Sequence, residues 1–94
     1  MKQHRVHFVG IGGIGVSALA RWYLSEGWRV SGSDIAPSEI TEELLQEGIP
    51  IAIGPHKPEN IPEGIKLVIY SAAAKKNKET AAASIRKKTI TLRI

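Results

Sequence analysis

The feature that most constrains this chain is a run of glycines set between two different periodicities. Arg5-Val6-His7-Phe8-Val9, rich in β-branched and aromatic residues, reads as a short strand and leads directly into Gly10-Ile11-Gly12-Gly13-Ile14-Gly15. From Ile14 to about Glu26 the spacing turns helical. Val16, Leu19, Ala20 and Tyr23 form one apolar stripe, while Ser17, Arg21 and Ser25 lie four apart on another face. Gly27 is a stop signal for that helix. In such a strand–glycine–helix unit the glycines serve different ends. Gly10 allows the tight turn, Gly12 lets backbone approach a ligand, and Gly15 permits close helix–sheet packing. The unpaired N–H groups at the helix start, with the helix dipole, suit an anion such as a pyrophosphate. A turn needing positive φ angles would explain the same spacing with no ligand.

The rest of the chain supplies the context that a lone G-x-G-x-x-G lacks. Trp28 to Ser31 is a second strand, running out through Gly32 and Ser33 to Asp34, an acid 19 residues after Gly15. Ser38 is placed to cap a second helix, with Glu39, Glu42 and Glu43 favourable at its positive end. Ile40, Leu44 and the stem of Glu47 are expected on its inner face, and Gly48 ends it. Ile49 to Ile53 reads as a third strand, 54–64 as a Pro- and Gly-rich loop, and Leu67-Val68-Ile69-Tyr70 as a doubly covered fourth strand. Asn77 can cap a third helix through about Lys87, and Thr89 to Leu92 reads as a fifth strand. This alternation predicts one α/β domain over residues 1–94, Rossmann-like and doubly wound, with a mostly parallel sheet of about five strands.

Composition narrows the function classes. Ninety-four residues without cysteine leave room for one small core, and exclude a disulfide framework and a thiolate zinc site. The net charge of +4 is unevenly spread. Residues 1–73 hold six Lys or Arg against eight acids, a net −2, and residues 74–94 hold seven against Glu79 alone, a net +6. A basic end can serve nucleic acid or an acidic partner, or be a solvated helix face; no aromatic residue interleaves with it, and the reading is no nucleic acid. Lys2 and Arg5 before an apolar stretch, with Ala18-Leu19-Ala20 beyond, imitate a signal peptide, but four glycines and His7 interrupt the stretch. No run approaches the ~20 apolar residues of a membrane span. The expected location is the cytoplasm.

Asp34 stands where an acid can accept hydrogen bonds from ribose hydroxyls, or cap a turn before Pro37. Ser71 follows the fourth strand, at the sheet edge where open α/β folds bind ligands, and a plain turn serine fits there too. His56 lies in the Pro-rich loop, where a solvated histidine is the plainer reading. His4 and His7 are three apart in a strand and fall on opposite faces, so they are not a metal pair. There is no G-x-x-x-x-G-K-[ST] loop, no nucleophile–base pair and no metal-ligand cluster. These residues predict binding of a nucleotide diphosphate and no reaction. NAD and a nucleotide sugar both satisfy them.

The string His7-Phe8-Val9-Gly10-Ile11-Gly12-Gly13-Ile14-Gly15-Val16-Ser17-Ala18-Leu19-Ala20, followed by Val30-Ser31-Gly32-Ser33-Asp34, strongly resembles the N-terminal domain of the Mur ligase family. Ile53-Gly54 with His56, Glu59-Asn60-Ile61 and Tyr70-Ser71-Ala72 extend the resemblance, which is dense over about residues 5–75. It implies the UDP-binding part of a three-domain, ATP-dependent ligase of peptidoglycan synthesis, the one that adds L-alanine to UDP-N-acetylmuramate. It further implies that Gly12, Gly13, Ile14 and Gly15 offer backbone to the diphosphate, and that Asp34, His56 and Ser71 surround the uridine and phosphates. No cofactor is implied for this stretch; ATP and Mg²⁺ are implied for a central domain, and a C-terminal domain for the amino acid. The stretch alone is expected to be inactive. The alternative is an NAD(P)-binding module of an oxidoreductase or regulatory protein. Two departures stand out: Pro55 separates Gly54 from His56, and the family's Asp-Asn-Pro-Glu segment appears as Lys76-Asn77-Lys78-Glu79.

Overall fold

The computed structural model describes residues 4–74, 77–86 and 88–94. The chain runs β1 (Arg5–Val9), α1 (Ile14–Ser25), β2 (Arg29–Asp34), α2 (Glu39–Gln46), β3 (Ile51–Ile53), β4 (Leu67–Tyr70), α3 (Lys78–Ser84) and β5 (Ile90–Arg93), with 3-10 turns at Pro58–Asn60 and Ala72–Ala74. The strands form one sheet in the order β3-β2-β1-β4-β5, and every pairing is parallel. The expected "mostly parallel" sheet is therefore wholly parallel among the described residues. The chain first winds outward through β2 and β3, then returns to β4 on the other side of β1. That reversal puts the topological switch point between β1 and β4.

Strand periodicity divides the interior into two faces. Val6 and Phe8 of β1, Val30 of β2 and Ile69 of β4 join Val16, Ala20 and Leu44 of α1 and α2 in one apolar cluster. Val9 and Val68 pack on the opposite face with Ile61, Ile65 and Ala83 of α3. Helices thus cover both faces, which is why β4 reads as a continuous apolar run. Gly32 is central to the first face. A Cβ there would lie 2.5–2.8 Å from Cδ1 and Cβ of Ile11, so the bare backbone lets the loop's Ile11 pack onto β2.

The local signals explain most boundaries. Ser38 and Asn77 cap α2 and α3 in reciprocal boxes with Thr41 and Thr80. Four expectations need correction. β3 starts at Ile51, since Pro50 has no N–H for a ladder, although its carbonyl accepts from Gly32 at 3.0 Å. Helix α3 ends at Ser84, and its expected end at Lys87 lies outside the described residues. Glu47 does not cover the core; with Glu43 it holds Arg21 at the surface. Ser17 is buried, and its hydroxyl donates to the Ile14 carbonyl at 2.9 Å.

Candidate functional site

The glycine loop is fixed from beneath by β2. The N–H groups of Gly10 and Ile11 both donate to the Ser33 carbonyl, at 2.9 and 3.0 Å, and Gly10 turns with φ +76°. The Gly12 N–H donates to Oδ2 of Asp34 at 2.7 Å, while Oδ1 accepts from the Ile35 N–H at 2.8 Å. A Cβ on Gly12 would lie 2.7 Å from that Oδ2 and 3.1 Å from Cγ2 of Thr41. A side chain at Gly12 would therefore displace the protein's own acid, whatever ligand approaches. Gly15 departs from its expected role. A Cβ there meets nothing within 4 Å, so it does not serve helix–sheet packing and borders open space.

The start of α1 differs from the starts of α2 and α3. Its N-cap, Gly13, has no side chain to cap with, and its first turn carries no acid. The Gly13 N–H is held by the Gly10 carbonyl at 3.1 Å. Among the described residues, those of Ile14 and Gly15 meet no acceptor, and Ile14 is 82% exposed. Unpaired N–H groups at the positive end of a three-turn helix are chemically suited to an anion. A cavity of about 300 Å³ adjoins this helix end, lined by Gly10, Gly13, Asp34, Ile35, His56, Ser71 and Ala74. It lies at the carboxyl ends of β1, β2 and β4, across the switch point. Gly13, Asp34, His56 and Ser71 are thus brought together; Gly12 lies beneath, bonded to Asp34, and Ile14 and Gly15 continue from the wall into α1. A larger cavity of about 450 Å³ opens beside Lys66, Arg86 and Lys88, at the amino ends of β4 and β5, where this architecture does not place ligands.

Behind the cavity is a polar network that sequence reasoning missed. Register pairs His7 of β1 with Ser31 of β2, and Val9 with Ser33, on the α3 face. His7 and Ser33 are fully buried, and so is Glu79 of α3. Oε2 of Glu79 meets Nε2 of His7 at 2.6 Å and accepts from the Ser33 hydroxyl at 2.7 Å. Oε1 meets Nδ1 of His56 at 3.1 Å and accepts from Nδ2 of Asn60 at 2.9 Å. Burial alone would push this carboxyl up; hydrogen bonds from His7, Asn60, Ser33 and His56 outweigh it and hold Glu79 at about 2. An ionised carboxylate only accepts, so His7 carries its proton on Nε2 and His56 on Nδ1. His7 Nδ1 lies 2.9 Å from the Ser31 hydroxyl. Among the described residues no buried side-chain polar atom lacks a partner. The signal is present in the sequence as polar residues at alternate positions of two central strands.

The family model described as "Mur ligase family, catalytic domain" matches residues 5–92. The chain belongs to the Mur ligase family. Within the Mur ligases it is 54% identical over 70 residues to the UDP-N-acetylmuramate–L-alanine ligase of Campylobacter jejuni (strain 81-176), covering 74% of this chain and 16% of that protein. It is 49% identical over 79 residues to the enzyme of that name from Clostridium kluyveri (strain ATCC 8527), covering 84% and 17%. The crystal structure of the UDP-N-acetylmuramate-alanine ligase of Thermotoga maritima superposes with a TM-score of 0.83 at 36% identity, over 95% of this chain and 20% of that one. The chain thus spans about a sixth of the length of the curated Mur ligases it matches.

Proposed function

We propose that the cavity at the carboxyl ends of β1 and β4 holds the UDP moiety of UDP-N-acetylmuramate. On this reading the chain is the nucleotide-sugar-binding domain of the cytoplasmic, ATP-dependent ligase that adds L-alanine in peptidoglycan precursor synthesis. The observation that carries it is the convergence of Gly13, Asp34, His56 and Ser71 on one cavity beside the open N-terminus of α1. The names of the relatives supply the substrate. The Ile14 and Gly15 N–H groups meet the diphosphate, and Gly12 and Gly13 shape the loop that presents them. Asp34 keeps lone pairs for ribose or base donors beyond its two backbone bonds. Ser71 offers a hydroxyl from the lining of the same cavity.

We assign ATP, Mg²⁺ and amide formation to central and C-terminal domains of a longer protein, which would also enclose the sugar, because this chain spans about a sixth of the length of the ligases it matches. No described helix is long and apolar enough to cross a membrane. Titration with UDP-N-acetylmuramate, followed by amide chemical shifts, tests the reading. Saturable shifts centred on Gly13 to Gly15, Asp34, His56 and Ser71 are expected; no response at millimolar ligand contradicts it.

A further inference from the structure

The cavity presents a charge problem. A UDP-sugar diphosphate brings two negative charges, yet the described lining residues include Asp34 and neither Lys nor Arg. Among the described lining residues, His56 is the one side chain able to become a cation. Its ring is mostly buried, 13% exposed, with Nδ1 on Glu79. Because Nδ1 already carries a hydrogen for that carboxylate, an added proton must go to Nε2, which meets no protein group among the described residues.

We propose that His56 meets the diphosphate as an imidazolium with the buried Glu79 carboxylate as its counter-ion, so that binding the nucleotide sugar takes up a proton. The inference rests on the UDP reading of the cavity. In the step, Nε2 gains a proton from solvent and donates it in a hydrogen bond to a phosphate oxygen; Nδ1–H stays on Glu79. A charged ring in a mostly buried place would be costly alone, and the fixed carboxylate offsets that cost. The other described ionisable groups near the cavity leave this role to His56. His7 shares the carboxylate from β1 but does not line the cavity, and its Nδ1 can accept from Ser31 without a second proton. Asp34 is a carboxylate lining the same cavity, which favours a cationic ring. Lys57 and Glu59 of the loop and Lys78 of α3 do not line the cavity, and Lys57 and Glu59 are exposed.

Calorimetry of UDP-N-acetylmuramate binding, at about pH 7 in two buffers of different ionisation enthalpy, measures the proton directly. This ligand's phosphates are diesters, so unlike UDP it has no ionisation of its own near neutrality. The wild type should take up a substantial fraction of a proton, with Kd weakening about fourfold from pH ~6.5 to ~8, the range in which histidine titrates. Ligand should move the His56 Nε2 ¹⁵N shift to the imidazolium position. Both proton uptake and pH dependence should vanish in His56→Gln and fall in Glu79→Gln; should the latter not fold, His56→Gln and the ¹⁵N shift decide. Binding without proton uptake, or uptake undiminished in His56→Gln, overturns the proposal and leaves the UDP reading standing. Absence of binding overturns both.

Discussion

The two faces of the sheet are held by different means. On the α1–α2 face the central strands present Val6, Phe8, Val30 and Ile69, and stability comes from apolar burial at roughly 25 cal/mol per Å². On the α3 face β1 and β2 present His7, Ser31 and Ser33, and one carboxylate collects these polar groups beside a smaller apolar cluster around Val9 and Val68. The first face tolerates gradual change, because each side chain contributes separately. The second depends on Glu79, whose loss removes an acceptor shared by four donors in or near the interior. The face that carries the cavity's histidine is the one held by charge.

That contrast predicts a graded series. The largest loss is expected for Glu79→Ala: about 3–5 kcal/mol, from unpaired buried donors, against roughly 5–14 kcal/mol for a domain of this size. Urea denaturation measures it, and a loss below ~1 kcal/mol would remove the distinction between the faces. Acid gives the next effect. The Glu79 carboxyl sits at about 2 against an ordinary 4.5, so its stabilisation is complete above about pH 5 and fades as pH falls towards 2. Denaturation at stepped pH should show a loss on the order of 2–3 kcal/mol over that window. The Glu79-dependent part should be missing from Glu79→Gln.

The apolar face is probed by Gly32→Ala, which sets a Cβ against the Ile11 side chain. Overpacking of this kind costs about 1–3 kcal/mol, and thermal denaturation should register it. A neutral result would show that Ile11 can move and that the packing is looser than its distances imply. The smallest effect belongs to Arg21→Ala. Arg21 bridges Glu43 and Glu47 at 3.2 and 3.0 Å, but all three are well exposed. Such surface pairs are screened, and the melting temperature should stay within experimental scatter.

The two faces are also unequally legible in the sequence. Strand, glycine loop, helix and Asp34 lie within thirty consecutive residues, and their spacings alone specify a βαβ unit. Ser38 and Asn77 are equally readable as caps, because capping is local. Glu79 is not. It stands alone among basic residues, and its partner His7 is 72 positions away, so only the register of a closed sheet brings them together. His56 is readable as a site residue, but its orientation depends on that long-range contact and on Asn60, which also holds the Pro55 carbonyl at 3.2 Å. Ser17 misleads because a serine at helical spacing reads as solvent-facing, whereas here its hydroxyl folds back onto its own helix.

The central claim is that this Mur ligase domain binds a nucleotide sugar through the open end of α1 and the cavity beside it. A competition titration tests it most directly, with the Ile14, Gly15, His56 and Ser71 amides observed while NADH is added to the chain saturated with UDP-N-acetylmuramate. NADH in equal concentration should leave those resonances at their UDP-N-acetylmuramate-bound positions. Displacement of the nucleotide sugar by NADH would contradict the claim and make the same loop a dinucleotide site.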